Sequence, residues 1–88
     1  MTNNTDTENL AALEQLLSDV RPRARREHPA IAETINRAIA ICRTRHGVHA
    51  GAHLELRAAI ESIRAGRLED AAASIEAAIA ILERWAGT

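Results

Sequence analysis

Apolar residues recur along this chain at steps of three and four, in four separate blocks. Leu10, Leu13, Leu17 and Val20 form the first stripe, with Leu16 beside it. Ile31, Ile35, Ile39 and Cys42 form the second, with Ala38 between. Leu56, Ile60 and Ile63 make the third, and Ile75, Ile79 and Leu82 the fourth, with Ile81 and Trp85 on its flank. That spacing places each set on one side of an α-helix. No block alternates with period two, so no strand is expected. The pattern predicts an all-α protein, an antiparallel four-helix bundle with helices at about 5–20, 29–46, 50–65 and 68–86.

Local signals punctuate the blocks. Residues 1–4 are polar and are expected to be a frayed tail. Thr5 followed by Glu8 fits a capping box. The segment 21–28, within "RPRARREHP", reads as a basic linker, because Pro22 disfavours a helical residue before it and Pro29 suits a first helical turn. Gly47 is expected to close the second helix in a left-handed conformation, and the third helix is expected to end at Gly66.

Shifting the sequence by forty residues lays Ile35 on Ile75, Ala38 on Ala78, Ile39 on Ile79 and Cys42 on Leu82. The same shift lays Leu16 on Leu56 and Val20 on Ile60. The chain thus reads as two tandem α-hairpins in one domain, residues 1–88. Closure of the two as an up-down-up-down bundle is preferred to an open stack, which would leave both outer faces bare.

In "AGRLEDAAASIEAAIAIL", Gly66 lies five residues before Ala71, and Ala71 seven before Ala78. Over residues 54–86 this resembles a tetratricopeptide-type helical hairpin, in its turn glycine and its two small positions. The pattern departs from that family in its forty-residue offset, in lacking the large aromatic positions, and in Ile31 where Ala would stand. The resemblance implies a helical scaffold that binds other polypeptides, with no catalytic residues.

Composition narrows the function. Nine Ile, eight Leu, two Val and nineteen Ala supply an aliphatic core with one Trp and no Phe or Tyr. So small a core, rich in Ala, is expected to be completed by a partner chain, most simply as a homo-oligomer. All eleven basic residues are Arg, against twelve acidic ones. That bias, like the Ala content, fits a GC-rich bacterial genome. The near-neutral balance disfavours nucleic acid as a partner. A single cysteine excludes an internal disulfide. "MTNNTDTENL" has neither the basic nor the apolar region of a signal peptide, and no apolar run approaches the ~20 residues that span a bilayer. A cytoplasmic protein without membrane contact is expected.

Three groups carry candidate chemistry. Continuing the stripes of helices two and three brings Cys42, His46, His49 and His53 to one end of the bundle, beside Asp6, Glu8 and Trp85. Imidazole and thiolate there would suit zinc, copper or nickel, or a pH-sensitive contact. His28 belongs to the other end. A nucleophilic Cys42 is disfavoured, because the repeat matches it to the core residue Leu82. The arginines Arg21, Arg23, Arg25 and Arg26 could clamp an acidic protein surface, or nucleic acid through phosphate. Ile41 and Ile81 lie off the main stripes and, with Trp85, are the candidates for apolar surface left over after the bundle closes. The reading that results is a non-enzymatic protein-interaction module with no cofactor: a small adaptor, regulator or inhibitor. A metal- or proton-responsive protein and a nucleic-acid binder are the alternatives.

Overall fold

The computed structural model describes the backbone of residues 4–87 and the side chains of residues 7–87. Four helices account for nearly all of it: α1 (Asn4–Glu27), α2 (Pro29–Arg45), α3 (Ala50–Arg64) and α4 (Leu68–Gly87). No strand occurs among the described residues. The proposed tail overlaps α1 at Asn4, and residues 1–3 lie outside the described ones. So does the side chain of Thr5, and with it the capping box.

The basic linker is not a linker. α1 runs through it to Glu27, with Pro22 inside the helix. Proline removes one helical hydrogen bond, the one that Ser18 would accept, and crowds that carbonyl. Both Ser18 and Pro22 are exposed, so water can reach the orphaned oxygen. The buried stripe meanwhile continues: Leu13, Leu17 and Ala24 are fully buried and Val20 nearly so. Packing of Ala24 against the core favours the helix where Pro22 alone opposes it.

The helices pack as a closed bundle, 40 Å long and 22 by 17 Å across. α1 packs on α2 and α3, and α4 packs on α2 and α3, while the pairs α1/α4 and α2/α3 are diagonal. The expected four-helix bundle of two hairpins is present, and its middle connection joins diagonal helices rather than neighbours. Residues 46–49 cross the end of the bundle instead of turning along its edge. Four connecting residues can do this, since extended chain reaches about 3.3–3.6 Å per residue and bundle neighbours lie about 8–10 Å apart. Val48, 2% exposed, is buried in the crossing and caps the core. Ion pairs cross three of the four seams: Arg43–Glu14 at 2.6 Å, Arg37–Glu83 at 2.9 Å and Arg64–Asp19 at 3.8 Å. Each is exposed and contributes little energy.

The repeat is visible in burial. In α2 and α4 the pairs Ile35/Ile75, Ala38/Ala78, Ile39/Ile79 and Cys42/Leu82 are all buried. In α1 and α3 the buried positions match one residue earlier than expected: Leu13 with Ala52, Leu17 with Leu56, Val20 with Ala59, Ala24 with Ile63. The Leu16/Leu56 pairing is thus out of register, Leu16 being only half-buried. The two hairpins differ by one residue between their helices, at the turns.

Those turns also differ from expectation. α2 ends with His46, not Gly47, in the left-handed conformation, at φ 57°. His46 N–H donates to the Arg43 carbonyl and Gly47 N–H to that of Cys42. α3 closes in the same way around Gly66, at φ +79°, with Gly66 N–H donating to Ile63 and Arg67 N–H to Ser62. Both are Schellman-type ends.

Candidate functional site: the Trp85 corner

The end of the bundle predicted to hold the histidines does gather the start of α1, the α2–α3 crossing and the finish of α4. The Thr7 hydroxyl donates to the His46 carbonyl at 3.4 Å, tying α1 to the crossing. The four proposed metal ligands, however, do not converge. Cys42 is fully buried in the core. Burial, and secondarily the charge of Glu14, push its thiol up to about 11, far from a thiolate at neutral pH. His46 is exposed at the helix end. His53 is half-buried in α3, where burial and then the Arg57 charge lower its pKa. Among the described residues no three His, Cys, Asp or Glu side chains stand together as a metal site.

His49 has a different task. It caps α3, its Nδ1 accepting the Gly51 N–H at 3.0 Å. That bond requires Nδ1 to be unprotonated, as Asp or Asn oxygens are in the usual cap. Gly51 lies within the first turn of α3 rather than interrupting it. A Cβ there would stand 3.3 Å from His49 Nδ1 and 3.6 Å from Ile81 Cδ1. Its absence gives the imidazole room to fold back, whereas Ile81 would meet such a carbon at ordinary contact distance.

Trp85 organises what remains exposed. The Arg45 guanidinium lies 4.7 Å from the centre of its ring, within cation–π range. The His49 ring meets it edge-on, with centroids 6.0 Å apart and planes at 67°. Trp85 is half-buried and packs on the core, as Ile41 and Ile81 do. Ile41 falls on the edge of α2 between Arg37 and Arg45, both of which reach α4, so it lies along that seam. Around Trp85, the side chains of His49, Ile81 and Arg84 line an open depression of about 400 Å³. A half-exposed indole beside an aliphatic side chain and two guanidiniums suits an apolar group flanked by a carboxylate.

The arginines lie elsewhere, toward the opposite end of the bundle on α1. Arg23 pairs with Glu27 at 3.2 Å. Arg21 is half-buried, its Nε closed off and without an acceptor. Arg25 and Arg26 are exposed and line, with Ser18, Arg21 and Pro22, a second open depression of about 500 Å³. The arginines and the Trp85 corner are thus two separate surfaces, since α1 carries the arginines some five turns from its own N-terminal end. One feature escaped the sequence reading: Leu54, 69% exposed, stands on the outward side of α3. It falls outside the stripe of Leu56, Ile60 and Ile63, which was the available sign.

Comparison of the chain with protein-family models, with curated proteins and with solved structures finds no match. Among the described residues, no helix is long and apolar enough to cross a membrane.

Proposed function

We propose that this protein is a non-enzymatic interaction module, a small adaptor or regulator that docks a segment of another polypeptide at the Trp85 corner. The observation that carries this reading is the half-buried indole of Trp85, stacked by Arg45 and braced by His49, in an open depression with Ile81 and Arg84. The surface is rigid at its base, since Trp85 and Ile81 both pack on the core. A partner side chain entering it would cover apolar area without ordering a loop, which lowers the entropic cost of association. Arg84 makes no ion pair among the described residues and is available to a carboxylate. Burial of the Cys42 thiol supports a non-catalytic reading.

Selection of peptides from a random display library against the immobilised protein tests the proposal. Binders are expected to carry an aliphatic or aromatic residue next to Asp or Glu. Their binding should shift the emission of Trp85, the sole aromatic side chain besides histidine. It should fall at least tenfold in Trp85→Ala while persisting in Leu54→Ala. Binders that leave Trp85 emission and the Trp85→Ala affinity unchanged would place docking on another face.

A further inference from the structure

We propose that the outward face of α1 joins two copies of this chain, paired antiparallel about a twofold axis. This face is separate from the Trp85 corner and its test is independent of partner docking. From Glu8 to Arg26 is eighteen residues, five turns of helix, so the two lie on one line about 27 Å apart. Both are exposed, and neither joins an ion pair among the described residues, nor does Arg25. By contrast Glu14, Asp19 and Arg23 on the same helix all do. The acid at one end cannot reach the arginines at the other within one copy. In an antiparallel second copy it faces them at both ends of the contact.

The middle of the face obeys the same register. Pro22 comes opposite Ala11 and Ala12, and Ser18 opposite Gln15, all exposed. Small side chains there let the two helix axes approach closely. Pro22 also deprives the Ser18 carbonyl of its helical donor. The carboxamide of Gln15 in the second copy stands at the level to donate to it. At its ends the face is self-complementary in charge under one twofold operation, the condition for an isologous dimer, while Asp19 near the axis is paired with Arg64 of its own copy. A single helix face lies at the small end of interface sizes, below about 1,200 Å², so the dimer is weak and dissociates on dilution.

Analytical ultracentrifugation of the full chain, from micromolar to millimolar protein at low and high salt, tests this. The wild type should approach twice the monomer mass at the highest concentration, with affinity reduced about tenfold or more in high salt. Glu8→Arg should remain monomeric, because arginine then faces arginine. The double variant Arg25→Glu/Arg26→Glu should also remain monomeric, glutamate facing glutamate. An equimolar mixture of the two variants should regain the dimer, since every end contact is again of opposite sign. Helical circular dichroism checks that each variant is folded, and recovery in the mixture requires it. A wild type that stays monomeric throughout, a dimer that survives either charge variant, or folded variants whose mixture stays monomeric would each overturn the proposal.

Discussion

Arg45, the last residue of α2, lies with its guanidinium 4.7 Å from the ring centre of Trp85, near the finish of α4. The contact links two helices that run in the same direction in the two hairpins, at the end of the bundle that carries Trp85. Removing it has two separable effects. Arg45→Ala should cost about 0.5–1 kcal/mol in urea unfolding and shift Trp85 emission, because the ring loses its cation. Trp85→Ala should cost about 2 kcal/mol, less than the ~3–5 kcal/mol typical of a fully buried Trp, since part of the side chain is already in water.

His46 and Gly66 occupy equivalent positions at the ends of α2 and α3, and both are left-handed. An L-residue there is strained by roughly 1–2 kcal/mol, and glycine is not. His46→Gly is expected to stabilise the fold by about 1 kcal/mol, while keeping the bond that the carbonyl at 46 accepts from the Thr7 hydroxyl. Gly66→Ala is expected to destabilise it by a similar amount, although nothing lies within 4 Å of the added carbon. Thermal unfolding of the two variants should move in opposite directions.

Cys42 sets an alkaline limit on stability. Its thiol titrates near 9.0 when unfolded and about 11 in the fold. Between those values the unfolded chain has released its proton and the folded chain has kept it. The contribution is therefore intact below pH 9 and is lost as pH rises toward 11, by roughly 2–3 kcal/mol. His53 acts on the other side. Its pKa is lowered from 6.5 in the fold, so stability falls as pH drops below the unfolded value. Denaturation followed against pH should show both limbs, with Cys42→Ala flattening the alkaline one and His53→Gln the acidic one.

Pro22 is the weak point of α1. Its ring crowds the Ser18 carbonyl and leaves that oxygen without a donor in the helix. Pro22→Ala should restore the bond and raise stability by about 1–3 kcal/mol. A loss of stability would mean that the packing of Ala24 depends on the proline.

The four stripes were legible in the sequence because each element is buried on one side only, and helix ends fell within one or two residues at every boundary but one. The exception is α1. Two prolines and four arginines in nine residues announce a loop, yet Leu17, Val20 and Ala24 keep the helical step through them. Alanine is weak evidence of a core position in a chain with so many, and that concealed the continuation. The candidate site was half legible. His49 and Trp85 do come to one end, as antiparallel hairpins require. Cys42 points inward as its stripe requires and is sealed in the core, whereas His46 leaves the stripe, because a stripe extended past a helix end no longer predicts direction. His46 turns left-handed there, and the chain then crosses the diagonal with Val48 beneath it. No periodicity encodes a four-residue crossing.

The docking claim is tested most directly by two-dimensional amide spectra of isotope-labelled protein, titrated with a display-selected peptide. Binding is predicted to move the resonances of residues 45, 49 and 81–85 together with the Trp85 indole, saturably, and to leave the outward side of α3 around Leu54 in place. Saturable shifts centred elsewhere, with the Trp85 indole unmoved, would contradict the account.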